Sequence, residues 1–518
     1  MDRGPIQSAA KLYAVWAFSF FVIVLFRSPA FADMEVAKGK NYTLAITPYF
    51  RTDAIAIDNN NDLDSKVRDD RVQYIGFDYS LALDLNFKDH GPRYFFRLER
   101  NGLYDYDTPV IINNTLNTYL GKVHPYTDAE LLPYIEEYWV DIPISADQPV
   151  RLRSGMFNYR VGHGIALNGN YENYGIDLYA NTDYFDWHIY YCWPDIASKN
   201  LFWPYIKQQK PQGINYFHSK SYFWATDMLM KLWEGSSIQP YVGMLLDYSV
   251  GKRLNFFQTP VRRDSLGTVG ISWDFTLGKF SGSLEWARNF GGANSTDQDF
   301  PDVEHRGWAA YADALYDAGK LTPYTRFIYA SGNKLTTDMI ANGDSLYTSG
   351  KNNAFSVYSP LNANLAGSIY PGIQTLPLVA MGNGYGMNYG VPRPTTFNDP
   401  GIIENLILVN AGFSYDFTDK CSATIEWWYL ASAQNGIGLY NGVPKVISPE
   451  LGHEVDIDIT YSPNSNIMLE LYSGIFFPGA AYREERTDRA GSLFTPFVRG
   501  DGKADTAYQV EISLAFIF

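Results

Sequence analysis

Cysteine is almost absent: Cys192 and Cys421 are the only two in 518 residues. So few thiols, so far apart, exclude a disulfide-stapled fold, offer no zinc spacing and give no reason to pair the two. Surplus positive charge is also missing. A net charge of -15 argues against nucleic acid as a partner. A spanning helix is missing as well, because the one long uncharged apolar run, LYAVWAFSFFVIVLF at 12–26, falls short of the roughly 20 residues such a helix needs. With Arg3 and Lys11 before it and Ala30-Phe31-Ala32 after it, this run has the layout of a secretion signal. Residues 1–32 are therefore expected to be removed and 33–518 to form the mature protein. If the chain enters a membrane, it must do so as strands.

Catalytic signatures are lacking too. There is no HExxH, no phosphate-cradling loop and no nucleophile elbow. No catalytic residue, cofactor or metal-ligand set is assigned. AIDNNNDLDSKVRDD (56–70) has oxygen ligands of the calcium type, but reads more simply as a solvated loop. His188, and His163 in the glycine-bracketed RVGHGIALNG, would serve a barrel hydrolase only if a serine joined one of them; seven histidines among many serines do not specify such a pair.

What the chain has in abundance is aromatic side chains, 16% of the total, with 40 Tyr, 32 Phe and 12 Trp. Mean hydropathy is nevertheless -0.22. That combination suits strands that are apolar on one face only, with aromatic girdles at their ends. The last residues, AYQVEISLAFIF (507–518), show the pattern. Tyr508, Val510, Ile512, Leu514, Phe516 and Phe518 form one face, and the smaller or polar residues between them the other. IGFDYSLALDL (75–85), RYFFRLE (93–99), GISWDF (270–275) and IDITY (457–461) repeat it.

About 18 such segments recur, near 42–50, 72–86, 92–101, 132–143, 149–160, 173–180, 184–193, 221–231, 238–248, 266–276, 280–290, 306–316, 321–330, 404–416, 420–432, 451–462, 466–477 and 507–518, close to the length of a tilted membrane strand. Their connections alternate. Short turns such as LGK (277–279), DAGK (317–320) and FTDK (417–420) follow even-numbered strands, and long polar stretches follow odd-numbered ones. Propellers and sandwiches have no reason to segregate their loops this way. The expected fold is all-β, a transmembrane antiparallel β-barrel of about 18 strands with short periplasmic turns and long extracellular loops, placed in the cell outer membrane. Its partners are outer-membrane lipid and, through the terminal Phe518, the barrel assembly machinery. The longest connection, 331–403, is rich in Gly, Asn, Ser and Pro but also in apolar and aromatic residues, and is a candidate constriction or lid.

The cost of a charge on the lipid face, about 2–4 kcal/mol for Arg or Lys at the midplane, assigns the charged face of each strand to the lumen. Arg93, Arg97, Arg151, Arg153 and Arg326 then point inward. So do Glu99, Glu137, Asp141, Asp177, Asp186, Asp274, Glu285, Asp313, Glu426, Glu454, Asp456, Asp458, Glu470 and Glu511. Two readings stay open. Arg97, Arg151, Arg153 and Arg326 with Glu99, Glu137 and Asp141 form a selectivity surface that grips an anionic solute, or they are cross-strand ion pairs that hold the wall and select nothing.

LGHEVDIDITYSPNSNIMLELYSGIFFPGAAY (451–482) resembles the penultimate hairpin of the alginate-export family of outer-membrane barrels. The resemblance lies in Gly452, Glu454 and Asp456 and in Phe476-Phe477-Pro478-Gly479. RLRSGMFNYRVGHGIALNG (151–169) is similar to that family's arginine-bearing strand and glycine-rich loop. The resemblance implies a monomeric channel for an anionic polysaccharide or a smaller solute, working with a periplasmic export partner, although that family's pore is strongly positive and the lumen inferred here contains more carboxylates than arginines. The function expected is passive transport of a hydrophilic, saccharide-type solute. The alternatives are a sheath around a lipoprotein or cytochrome, and the barrel hydrolase.

Overall fold

The structure is a computed structural model that describes residues 34–58, 72–88, 91–105, 134–145, 149–157, 159–169, 174–193, 221–247, 252–254, 259–295, 301–334, 336–337, 350–355, 405–441, 443–484 and 504–517. The expected signal 1–32 and the Asp/Asn-rich 59–70 lie outside them.

Eighteen strands form the barrel wall: β1 Tyr42–Asp58, β2 Val72–Phe87, β3 Arg93–Asp105, β4 Tyr134–Pro143, β5 Val150–Met156, β6 Tyr174–Asn181, β7 Phe185–Trp193, β8 Ser221–Trp233, β9 Ser236–Asp247, β10 Thr259–Leu277, β11 Phe280–Ser295, β12 Trp308–Tyr316, β13 Leu321–Ala330, β14 Leu406–Thr418, β15 Cys421–Ser432, β16 Glu450–Asn464, β17 Ile467–Pro478 and β18 Ala507–Ile517. Each wall strand pairs antiparallel with its sequence neighbours, and β18 pairs back onto β1 from Tyr49↔Ile517 to Asp58↔Tyr508. The sheet therefore closes without a free edge, which removes the liability of exposed strand edges.

Several strands run further than the alternation suggests. β10 begins at Thr259 and β1 ends at Asp58, because their polar extensions find paired neighbours beyond the apolar band. The short turns gather at one end. Gly278, at φ +64, makes the two-residue turn between Leu277 and Phe280, a conformation that glycine adopts without penalty.

The two faces separate as a membrane barrel requires. Ile189, Val269, Leu284, Trp286, Ile425 and Trp427 stand exposed on the outside. Their strand neighbours Tyr190, Thr268, Glu285, Glu426 and Trp428 are buried on the inside. An apolar exterior around a polar interior is the arrangement that lipid imposes on strands, so this is an outer-membrane barrel. Both cysteines are free thiols.

At the long-loop end a polar cluster braces the wall. Val303–His305 pairs in parallel with Lys351–Asn352, and His305 Nε2 lies 2.8 Å from Asp264 Oδ1 on β10. Asn333 donates to Asn352 at 2.8 Å.

Candidate functional site

The lumen is not empty. After β5 the chain turns inward as a small hairpin, with Tyr159–Arg160 pairing antiparallel to Asn168–Gly169. Val161, Ile165, Ala166 and Leu167 are buried to 0–1% exposure, in one apolar cluster with Tyr190, Phe223 and Tyr241 of β7, β8 and β9. Burial of four aliphatic side chains is a large driving force for a segment this short. Polar contacts then fix its register. Tyr159 OH donates to Asp227 Oδ2 at 2.8 Å, and the Gly162 N–H donates to Gln239 Oε1 at 3.0 Å. At the tip, the His163 N–H donates to Glu285 Oε2 at 2.6 Å, while His163 Nε2 lies 3.1 Å from Asp274 Oδ1. The imidazole also packs on Tyr311 at 4.9 Å. A side chain at Gly162, where φ is +57, would meet Glu285 and Ser272 at about the 2.8–3.1 Å measured for an added Cβ. Glycine is what lets this backbone lie against β10 and β11.

Asp274 and Glu285 sit near the short-turn ends of β10 and β11, so the hairpin reaches deep into the barrel. It narrows the lumen from β5 as far as β12. The sequence reading gave the constriction role to 331–403, most of which lies outside the described residues; the described residues seen to occupy the lumen are Phe157 and 159–169.

Beside the hairpin, β3 to β6 carry the arginine group. Register places Arg97 opposite Glu137, and Asp141 opposite both Arg93 and Arg153. Arg97 Nη2 is 3.6 Å from Glu137 Oε2. Asp141 takes Arg151 Nε at 2.7 Å, Arg153 Nη2 at 3.5 Å and the Tyr179 hydroxyl. Arg93 pairs with Asp84 at 2.5 Å. Aromatic rings fix the guanidiniums further: Arg153 stands 4.8 Å over Trp139 and 5.1 Å over Tyr179, and Arg97 stands 5.4 Å over Phe95. Trp139 itself stacks on Phe95 at 5.3 Å and donates to Glu137 at 2.8 Å. Arg97 and Arg153 are thus held by both a ring and a carboxylate, and Arg151 shares the Asp141 carboxylate with Arg153.

The remaining predicted residues lie elsewhere. Arg326 is on β13, bound to Glu426 at 3.1 Å, and belongs to the acidic wall that continues through Asp456 and Asp458 to Glu470 and Glu511. Arg51 of β1 is bound to Glu511 and Glu470 at 3.1 and 3.8 Å. Glu99 faces Ser80 and Tyr134 across β3, and its side chain lies outside the described residues. His188 lies 3.0 Å from Asp177 and stacks on Tyr179. Among the described residues neither His188 nor His163 has a serine partner. Residues that the sequence reading missed are Arg160, Gly162 and the wall acceptors Asp227 and Gln239. The signal available for them was the aliphatic run in RVGHGIALNG, which has no place in a solvated loop.

No family model matches the chain, and no curated protein sequence matches it. Solved structures that align with it include OccK11 (OpdR) of Pseudomonas aeruginosa, at 7% identity over 92% of this chain and 96% of that one, with a TM-score of 0.47. OprD of the same organism aligns at 8% identity over 94% and 96%, with a TM-score of 0.48. A BenF-like porin from Pseudomonas fluorescens Pf-5 aligns at 8% over 92% and 99%, with a TM-score of 0.47. At these values the barrel assignment rests on the strand pairing above. The expected membership of the alginate-export family is corrected: what the chain aligns with is porins of the OprD and Occ type, with no family model behind the resemblance in 451–482. That motif has a local explanation. Gly452, at φ +140, faces Pro478 where a side chain would strike the Phe477 carbonyl, Glu454 is buried on the lumen side, and Phe477 is exposed to lipid.

Proposed function

We propose that this protein is a passive outer-membrane channel for a small hydrophilic solute bearing negative charge, a saccharide acid being one such chemistry. The observation that carries this reading is the unequal exposure within the arginine group. Arg97, Arg151 and Arg153 keep 28%, 23% and 25% of their side chains open, while Glu137 and Asp141 beside them keep 11% and 4%. The carboxylates orient the guanidiniums from behind and leave N–H donors toward the lumen, a geometry suited to carboxylate groups. The inward hairpin favours a small solute over a polymer. It also works against the sheath alternative, which needs the space that the hairpin takes.

The test is the reversal potential of the purified protein in a planar bilayer under a potassium chloride gradient, beside the triple variant Arg97→Ala/Arg151→Ala/Arg153→Ala. Anion preference in the wild type that falls in the correctly folded triple variant is the expected result. Cation preference in the wild type would overturn the reading.

A further inference from the structure

Each arginine of the wall group has a carboxylate within reach, and three carboxylates, Asp84, Glu137 and Asp141, already balance most of the charge on Arg93, Arg97, Arg151 and Arg153. Their field at a distance is therefore weak, since paired opposite charges cancel. Arg326 and Arg51 are likewise matched by Glu426 and by Glu511 with Glu470.

Arg160 differs. It sits on the lumen hairpin, held in place through its backbone pairing with Asn168. Its neighbour Tyr159 turns to the wall, stacking on Tyr190 at 4.1 Å and donating to Asp227, so the alternation along this short strand sends Arg160 the other way. The side chain is half-buried, feels the charges of Glu285 and Asp274, and forms no ion pair within 4 Å among the described residues. Its Nε is enclosed with no hydrogen-bond acceptor. The two nearest carboxylates are committed elsewhere: Glu285 accepts from Tyr241 OH at 2.5 Å and from the His163 N–H at 2.6 Å, and Asp274 accepts from Ser283 at 2.7 Å and faces His163. An arginine remains charged in any protein environment, so a guanidinium placed here keeps donors to offer.

We infer that Arg160 is the specificity-determining residue of the channel, the cation that a carboxylate-bearing solute meets where the hairpin narrows the lumen. The arginines of β3 and β5 then form the rigid approach to it. This inference rests on the reading of the barrel as a channel for anionic solutes. The terminal N–H groups of the guanidinium, which are not enclosed as Nε is and have no acceptor among the described residues, are the donors that a solute carboxylate passing the hairpin can take, and a neutral or cationic solute gains nothing from them.

The experiment compares wild type with R160Q, R160K and R160E in planar bilayers, under gradients of potassium chloride and of potassium acetate, after heat-modifiable migration has shown each variant folded. The expected result is an anion-preferring wild type. R160Q lowers the anion-to-cation permeability ratio by about fivefold, the scale of one unit charge at short range in water. R160K keeps the preference and R160E reverses it. An anion-preferring wild type whose ratio is unchanged in R160Q overturns the role of Arg160 and leaves the channel reading standing. A wild type that prefers cations overturns both.

Discussion

His163 Nε2 on the lumen hairpin stands 3.1 Å from Asp274 Oδ1 on β10, a charge pair that closes across the pore rather than along the wall. Burial pushes the imidazole pKa down, and the Asp274 carboxylate, with Glu285 and Asp313 beyond it, pushes it up by more, so the net shift is upward. A raised value means that the docked form binds the proton more tightly than a free hairpin does. The stabilisation is fully present below the unperturbed value of about 6.5 and is lost as pH rises through the raised one. Open-channel current is therefore expected to be quiet at pH 6 and noisier at pH 9, with the change absent in His163→Gln. Equal noise at both pH values in the wild type would show that this pair does not hold the tip.

Gly162→Ala tests the fit of the tip. The added methyl meets Glu285 at 2.8 Å in a backbone conformation that costs a non-glycine residue roughly 1–2 kcal/mol. The variant barrel should form with unchanged heat-modifiable migration but carry a larger, fluctuating conductance.

Tyr159→Phe removes one hydroxyl and leaves the buried Asp227 with Gln239 as its remaining side-chain donor. A loss of about 1–3 kcal/mol is expected for a buried acceptor so stripped. Limited proteolysis that cuts the variant within 157–169, under conditions where the wild type stays intact, is the predicted sign.

Asp141→Asn takes the shared negative charge from beneath Arg151 and Arg153. Breaking a buried ion pair on one side costs about 3–5 kcal/mol, and the part-exposed arginines here place the expected loss at or below the low end of that range. The midpoint of thermal unfolding in detergent should fall while anion preference rises. A fall in both would mean that Asp141 is needed to keep the arginines in the lumen at all.

Val269→Arg probes the outer face. Val269 is 41% exposed between Thr268 and Gly270 of β10. Arginine there should destabilise the barrel in lipid by about 2–4 kcal/mol, read from refolding equilibria in bilayers. Little change would place Val269 outside the apolar band.

The wall was legible because lipid is an unforgiving solvent. Every second residue of GISWDF or IDITY had to be apolar, and the strands of the structure fall on the segments with that alternation. Inward orientation followed from charge, and Arg97, Arg151, Arg153, Glu137 and Asp141 do converge. Their exact partners did not follow, because Asp141 reaches Arg151 and Arg153 only through the register of the β4–β5 hairpin, which alternation alone does not set. Arg160 escaped for a different reason, and so did the docking of His163, which the sequence singled out only as a hydrolase candidate. They lie on no wall strand, and their placement depends on Val161, Ile165 and Leu167 finding an apolar bed on β7 to β9. The resemblance in 451–482 misled because its residues answer to local geometry in this chain, with Gly452 at φ +140 and Phe477 on the lipid face.

The pairing of β18 with β1 has a kinetic meaning. It joins residues 450 or more positions apart, as in Arg51 and Glu511, so the contact that seals the barrel is also among the most distant in sequence. Local hairpins can form in any order, but this seam must wait until the two ends of the sheet have met, and the search for it is the slow step that chain topology imposes. Until then both terminal strands present unsatisfied backbone to their surroundings.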